Sequence, residues 1–191
     1  ISDKCKIILP STHVVYEGIK EVKNNIQEDE ETNPILSYAT SKDINEKQLK
    51  RSKKNYIILR LGSVYGYSEN EKRMFNMPNL FPKLVKKNKN LRLFSKGVQL
   101  KSIVSVHDVA RFIIFCLNYK INNQIFNVVS QNLRTSTIAR MCRKFNKKTK
   151  LIFTNDQIPN PGYSMSSKKI KKTGFRFKLF YNDFLKFYFS F

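Results

Sequence analysis

Cysteine is scarce in this 191-residue sequence, and Cys5, Cys116 and Cys142 are widely separated. This spacing does not fit a disulfide framework, which needs paired cysteines at short spacings. It does not fit a zinc site either, since zinc ligands also come in closely spaced pairs. Long apolar runs are also lacking, since no stretch approaches the roughly 18 residues that a membrane-spanning helix needs. Residues 1–20 lack the basic start and apolar block of a secretory signal. We therefore expect a cytoplasmic protein with no metal site and no membrane partner.

Acidic residues become scarce after residue 50. The chain has 36 Lys and Arg against 14 Asp and Glu, a formal net charge of +22. Residues 1–50 hold nine of the acids, and residues 51–191 hold the other five. A basic block of this size can indicate a nucleic-acid partner. The alternative is a compositional bias, because Lys, Asn, Ile and Phe are all abundant. No aromatic RNA-binding stretch, zinc knuckle or helix-turn-helix signature is present, so we expect no nucleic-acid partner.

Short apolar runs alternate with amphipathic stretches along the chain. The runs predict strands at residues 6–10, 56–61, 91–94, 103–106 and 124–129. The amphipathic stretches predict helices at residues 35–54, 78–90, 109–118, 135–146, 166–173 and 180–191. This alternation predicts an α/β fold with a largely parallel sheet. In such sheets the chemistry lies at the carboxyl ends of the strands, which here are followed by Ser11-Thr12 and by residues 62–66.

Several local features of these elements can also be predicted. Residues 17–33 are polar and acidic and are expected to form a surface loop. Asp108 is expected to cap the helix that follows it, and Cys116 is expected to be a buried small hydrophobe. Apolar spacing suggests inward faces for the first and last helices, formed respectively by Leu36, Ala39, Ile44 and Leu49 and by Phe180, Phe184, Phe187 and Phe191.

Tyr38 and Lys42 form the clearest chemical constellation in the sequence. They are four residues apart on a predicted helix and therefore share one face. A lysine ammonium near a phenol stabilises the phenolate and lowers the pKa of the tyrosine, which can then act as an acid or base near neutral pH. The same spacing recurs at Tyr16 and Lys20, in a predicted turn, so the spacing alone does not identify a site.

Five segments in a fixed order carry a family resemblance. They are KIILPSTHVVYEG, SYATSKDINE, ILRLGSVYG, KSIVSVHDVARFIIFCL and IFNVVS. Together they resemble the extended short-chain dehydrogenase/reductase family, the NAD-dependent epimerase/dehydratase group that acts on nucleotide sugars. The resemblance covers nearly the whole chain and implies a Rossmann-like, mostly parallel sheet with a small mixed α/β substrate-binding subdomain. Residues 1–75 would be the C-terminal half of the NAD(P)-binding domain. Residues 76–191 would be mainly the substrate-binding subdomain, with Rossmann elements returning at about 101–130.

The resemblance implies roles for particular residues. Tyr38 would be the acid/base for hydride transfer at a sugar carbinol, Lys42 would hold the nicotinamide ribose, and Thr12 would hydrogen-bond the reacting sugar oxygen. The cofactor, NAD or NADP, would contact Ser11, Tyr38, Lys42, Leu61 and Ser63. The nucleotide-diphosphate sugar would contact Thr12, Ser63, Asn79, Leu80 and Lys101. Structural alternatives remain open for three of these residues: Thr12 can end a strand, Asn79 can cap a helix, and Lys101 can be a solvated strand charge.

The departures from the family pattern narrow the expected function. The 4,6-dehydratases of the family have Asp-Glu after the threonine, whereas this chain has His13-Val14, so we do not expect dehydration. Nothing in the chain matches the glycine-rich turn that opens the family's dinucleotide site. Since the chain also begins with Ile1, we expect it to be the C-terminal portion of a longer protein, with about 90–120 residues upstream.

The leading hypothesis is an NAD(P)-dependent nucleotide-sugar epimerase. The alternatives are a nucleotide-4-keto-sugar reductase or dehydrogenase of the same family, a non-catalytic truncated member, and a basic nucleic-acid-binding module. The resemblance also implies a possible homodimer through the helix that carries Tyr38 and Lys42.

Overall fold

The apolar runs form strands and the amphipathic stretches form helices in the computed structural model, which describes residues 5–19, 21–68, 75–157 and 162–191. Within these residues the strands are β1 (Lys6–Thr12), β2 (Lys23–Ile26), β3 (Asn55–Leu61), β4 (Ser63–Tyr65), β5 (Leu91–Leu93), β6 (Leu100–Ser105), β7 (Gln124–Val128), β8 (Gln131–Arg134), β9 (Leu151–Phe153) and β10 (Tyr163–Met165). The helices are α1 (Ser37–Arg51), α2 (Met77–Lys86), α3 (Val106–Asn118), α4 (Thr135–Arg143), α5 (Lys168–Lys172) and α6 (Tyr181–Phe189).

Parallel pairing dominates the sheets. One sheet has the order β1-β3-β7 and is parallel throughout, with Thr12 opposite Leu61 at its carboxyl edge. A second sheet has the order β4-β6-β8, in which only the β6–β8 pair is antiparallel. Two parallel pairs, β10 with β2 and β5 with β9, lie beside these sheets. The predicted class, a mostly parallel Rossmann-like α/β fold, is confirmed, while the division at residue 75 stays a prediction.

Two large apolar cores stabilise the described part of the chain. One lies between the first sheet and α3, where Phe112 and Cys116 pack against Ile57 and Phe126, so the predicted burial of Cys116 is confirmed. The other lies where α2, α4 and α6 meet β4, β5 and β6. Burial of each large apolar side chain contributes about 1.5–3 kcal/mol before chain entropy is counted. No helix in the described ranges combines the length and apolar character needed to cross a bilayer.

The inward face of α1 differs from the predicted one. Ala39, Asp43 and Glu46 are buried, whereas Leu36 and Ile44 are 62% and 47% exposed. The apolar spacing was misleading because two carboxylates of this helix are hydrogen-bonded to residues outside it: Thr32 donates to Asp43 (2.6 Å), and Arg60 pairs with Glu46. A buried charge is stable when it is paired and hydrogen-bonded, and an apolar periodicity cannot reveal such pairing.

The face predicted for the last helix is also wrong in part. α6 buries Tyr181, Phe184, Leu185 and Tyr188, while Phe187 and Phe191 are exposed. The buried set follows the i, i+3, i+4, i+7 spacing of one helix face more closely than the four phenylalanines do.

Two local predictions are corrected by backbone hydrogen bonds. α3 begins at Val106, and its cap is Ser105, whose Oγ accepts from the main-chain N of His107 at 3.2 Å. Asp108 is instead buried and accepts from the main-chain N of Lys178 and of Leu179. The predicted loop at residues 17–33 contains β2, which pairs with β10 from the far end of the chain; no local pattern reports so distant a partner.

Gly62 allows the two main sheets to approach each other where β3 passes into β4. Its N donates to the main-chain O of Val128 at 3.0 Å. A Cβ at this position would lie 2.8 Å from the main-chain O of Ser102. Only glycine avoids that overlap, and the close passage places Ser63 beside the end of β1.

A buried ion pair joins α1 to β3. Arg60 and Glu46 are 3% and 1% exposed, and Nη2 of Arg60 lies 2.8 Å from Oε2 of Glu46. The guanidinium also contacts the hydroxyl of Tyr16 and donates to the main-chain O of Glu28 at 3.1 Å. Oγ of Ser11 donates to Oε1 of Glu46 at 2.5 Å. The pair therefore connects α1, β1, β3 and the segment before α1.

Replacing Arg60 alone is expected to destabilise the fold strongly. Arg60→Met leaves the Glu46 carboxylate buried without its partner, and such a loss typically costs about 3–5 kcal/mol. The free energy of unfolding from urea titrations measures it. Arg92→Met is the matched control, because its ion pair with Asp156 is exposed and is expected to contribute less than about 1 kcal/mol. Equal losses in the two variants would contradict the assignment, whereas partial recovery in Arg60→Met/Glu46→Leu would support it.

Candidate functional site

Tyr38 and Lys42 lie on the first half of α1, beside the carboxyl end of β1. Nζ of Lys42 donates to the main-chain O of Pro10 at 2.9 Å and lies 5.9 Å from the ring centroid of Tyr38. The Tyr38 ring is 57% exposed. The ammonium is thus anchored to the strand that ends in Ser11-Thr12, with further N–H donors not used by that bond.

Thr12 ends β1 and begins the 3₁₀ turn His13–Tyr16. Its Oγ1 accepts from the main-chain N of Val14 at 3.3 Å, so the hydroxyl proton is not used in that bond. The strand-end alternative and the sugar-contact prediction are therefore compatible: Thr12 caps the turn through a lone pair and keeps a donor.

The second Tyr/Lys match in the sequence has a different environment. Tyr16 is fully buried, and burial raises its pKa to about 12 despite the nearby Arg60 guanidinium. Its hydroxyl contacts the side chains of Arg60 and Asn127. Lys20 lies outside the described residues. Tyr16 therefore acts in the polar network under the sheet and is not available as an acid or base near neutral pH.

The predicted cofactor residues Ser11 and Leu61 have structural partners. Ser11 is buried, and its hydroxyl is donated to Glu46. Leu61 is half-buried against the core under the first sheet, and its backbone lies between Thr12 and Val128. Both residues lie at the carboxyl end of the first sheet, where Lys42 is bonded to the main-chain O of Pro10. Their contact with a cofactor stays a prediction.

Asn79 and Leu80 lie in the first turns of α2. The N-cap of this helix is Asn76, so the cap alternative for Asn79 is wrong. The Asn79 amide is buried: Nδ2 donates to the main-chain O of Val64 at 3.2 Å, and Oδ1 accepts from the main-chain N of Gly66 at 3.1 Å. This side chain fixes α2 to β4. Leu80 is half-buried beside it, and the substrate contacts of both residues stay predictions.

His13, which sequence reasoning left without a role, lies in a cleft of about 160 Å³ together with Glu17, Lys101 and Tyr163. Nδ1 of His13 is 2.7 Å from Oη of Tyr163, and Nε2 is 3.2 Å from Oγ of Ser63. Burial, reinforced by the positive charge of Lys101, lowers the pKa of His13 to about 4. The imidazole is therefore neutral at physiological pH.

Lys101 is half-buried in the same cleft, and burial lowers its pKa. It is thus not a fully solvated strand charge, and it forms no ion pair with the residues that the structure describes. The position of His13 directly after a strand end could have drawn attention to it, but Tyr163 is 150 positions away and gave no signal.

The arrangement combines an exposed phenol, an anchored ammonium and a threonine hydroxyl at one sheet edge, with a polar, cationic cleft beside them. A phenol and an ammonium can move a proton and bind hydroxyl groups, and a half-buried lysine can bind an anion. Among the described residues, no group of three His, Cys, Asp or Glu side chains is arranged to hold a metal ion.

The described residues form a mostly parallel, Rossmann-like α/β protein. The family model described as the RmlD substrate binding domain matches residues 2–151. The chain belongs to this family, which is an SDR-like NAD-dependent epimerase/reductase family, and the resemblance seen in the sequence is confirmed. A relative from Methanocaldococcus jannaschii, whose provisional name is UDP-glucose 4-epimerase, is 31% identical over 107 residues, which are 54% of this chain and 34% of that protein.

Solved structures share the fold. UDP-glucose 4-epimerase from Thermotoga maritima, solved with UDP-glucose, has a TM-score of 0.84 at 21% identity over 97% of this chain and 62% of that one. UDP-glucose 4-epimerase from Thermus thermophilus, solved with NAD, has a TM-score of 0.81 at 20% identity over 97% and 63%. UDP-glucuronic acid 4-epimerase from Bacillus cereus, solved with UDP-glucuronic acid and NAD, has a TM-score of 0.81 at 22% identity over 97% and 60%. The chain thus spans less than two thirds of these proteins.

The lowered pKa of His13 predicts a pH-dependent stability. An unfolded histidine titrates near 6.5, so between pH 6.5 and about 4 the unfolded chain binds a proton that folded His13 does not. The stabilisation by neutral His13 is complete above pH 6.5 and is lost as the pH falls toward 4. Urea unfolding at pH 7 and pH 4.5 should show a smaller loss for His13→Asn than for the wild type. His107→Asn, at an exposed position, should follow the wild type; identical losses in all three proteins would contradict the prediction.

Proposed function

We propose that this chain carries the catalytic edge of an NAD(P)-dependent nucleotide-sugar 4-epimerase. The observation that supports the proposal most directly is the Lys42 contact with Pro10, which holds the ammonium between the Tyr38 ring and the end of β1. Tyr38 then takes a proton from the sugar hydroxyl and returns it, while the spare donor of Thr12 binds the same sugar oxygen. Family membership and the names of the relatives support the same reading.

The residues present fit the nicotinamide-ribose end of the cofactor. Lys42 has donors left for ribose hydroxyls, and the exposed Tyr38 phenol leaves room for a ligand beside it. When bound, the nicotinamide supplies the hydride acceptor and donor. The chain itself orients the sugar, moves the proton and places the Lys101 cation where a diphosphate would bind. The sequence contains no glycine-rich turn for the dinucleotide pyrophosphate, so this end of the cofactor is not assigned to residues of this chain.

Epimerisation and reduction of a 4-keto sugar use the same three side chains. Epimerisation returns the hydride and leaves the cofactor level unchanged, whereas reduction consumes reduced cofactor in proportion to product. We propose epimerisation because the relatives described above are named as 4-epimerases. Absorbance at the nicotinamide band distinguishes the two when the substrate is a UDP-4-keto sugar together with reduced cofactor. Steady consumption of the reduced cofactor, without interconversion of UDP-glucose and UDP-galactose in a parallel assay, would favour the reductase.

Tyr38→Phe is expected to lower kcat by about 10²–10⁴-fold, because it removes the proton-transferring group and keeps the ring. The measurement is UDP-glucose to UDP-galactose conversion, made on this chain and on a fusion that supplies a glycine-rich βαβ unit ahead of residue 1. Tyr119→Phe is the matched control, since Tyr119 is similarly exposed (55%) but lies at the end of α3. Activity that survives in Tyr38→Phe would refute the catalytic assignment.

A further inference from the structure

The hydrogen bonds around Tyr163 determine which nitrogen of His13 carries the proton. Oη of Tyr163 lies 2.7 Å from the main-chain O of His13 and 2.7 Å from Nδ1 of the same residue. A carbonyl oxygen can only accept, so the one phenol proton is donated to it. The phenol oxygen must therefore accept from the ring, and Nδ1 carries the proton that it donates.

Nε2 of His13 is consequently an acceptor. A neutral imidazole has a single N–H, and the surroundings of His13 favour the neutral ring. Oγ of Ser63 lies 3.2 Å from Nε2, so Ser63 donates its hydroxyl proton to His13. A serine hydroxyl has one proton, and Ser63 therefore offers only lone pairs to any other partner.

We propose that His13 makes Ser63 a pure hydrogen-bond acceptor toward the ligand. Ser63 then favours a ligand group that donates a hydrogen bond, such as a hydroxyl or an amide N–H, and disfavours a carboxylate at the same position. The proposal deepens the proposed function, because it takes Ser63 to face the sugar. The preference follows because a carboxylate oxygen beside the Ser63 oxygen would give two acceptors with no proton between them. Each would lack a hydrogen bond, and an unpaired buried polar group is costly.

The charged neighbours of His13 are compatible with this polarity. Lys101 and Glu17 line the same cleft. An ammonium is only a donor, so Lys101 cannot replace Nε2 as the acceptor for the Ser63 proton. Lys101 would attract an anionic part of the ligand, while Ser63 reads a neutral, donating part. The two side chains thus recognise different groups of one nucleotide sugar.

The tautomer can be tested without any ligand. The chain has two histidines, so His107→Gln leaves His13 as the one histidine signal in a ¹⁵N-labelled sample. Two-bond proton–nitrogen correlation spectra at pH 7 should show a protonated Nδ1 and an unprotonated Nε2. A protonated Nε2 would overturn the proposal.

The ligand preference is tested with UDP-glucose and its four analogues in which fluorine replaces the hydroxyl at C2, C3, C4 or C6, since fluorine cannot donate. At one position the substitution should weaken binding about tenfold, the usual effect of losing one hydrogen bond. That penalty should vanish in Ser63→Ala and shrink in His13→Phe, where the freed Ser63 hydroxyl can donate. The penalty in His107→Gln should match the wild type.

The possible failures are distinguishable. If the sugars bind but every fluorine penalty is unchanged in Ser63→Ala, the selectivity proposal is wrong and the proposed function is unaffected. If none of the five nucleotide sugars binds this chain or its glycine-rich fusion, the proposed function is wrong, and with it the ligand preference. The His13 tautomer is still decided by the spectra in that case.

Discussion

The buried pair between Arg60 and Glu46 holds α1, the helix of Tyr38 and Lys42, in register with the sheet. Glu46 lies on α1 two helical turns beyond Tyr38 and one beyond Lys42, on the same side of the helix. Its carboxylate accepts from Arg60 of β3 and from Ser11 of β1. A rotation or a one-turn slide of α1 would withdraw Glu46 from both partners and leave two buried charges uncompensated. The position of Lys42, which is bonded to Pro10 of β1, is therefore coupled to the ion pair one helical turn further along α1.

The sequence predicts well those parts of the molecule whose structure depends on nearby residues, and it misses those that depend on distant partners. The parallel strands β1, β3 and β7 were predicted because each contains a short continuous apolar run, which is a local signal. The strands β2, β9 and β10 were not, because each is three or four residues long and depends on a partner far away in the chain. The burial of Asp43 and Glu46 on α1 could not be predicted for a similar reason: it depends on Thr32 and Arg60, which lie outside the helix.

The candidate site shows the same division. Tyr38, Lys42 and Thr12 could be identified because the spacing on one helix and the end of one strand are local properties, and the order of motifs gave them a family context. The hydrogen-bonding polarity of Ser63 could not be predicted from the sequence, because it depends on a chain of hydrogen bonds from Ser63 through His13 to Tyr163. That chain joins three segments and is closed by a main-chain carbonyl, an acceptor that every residue has and that no sequence pattern reports.

Part of the large positive charge stabilises the fold. Lysines and arginines occupy the last turns of α1, α2 and α4, where the helix dipole favours cations. Lys6 donates to the main-chain O of Cys116 and of Tyr119, at 2.9 and 3.1 Å, and so satisfies carbonyls at the end of α3. Lys42 is bonded to the main-chain O of Pro10 near the carboxyl end of β1, and Lys101 is half-buried in the cleft beside His13. Charge at such positions acts on a ligand more strongly than surface charge does, since the surrounding protein screens it less than water. Under the proposed function, the placement of these two lysines therefore matters more for ligand binding than the net charge of the chain does.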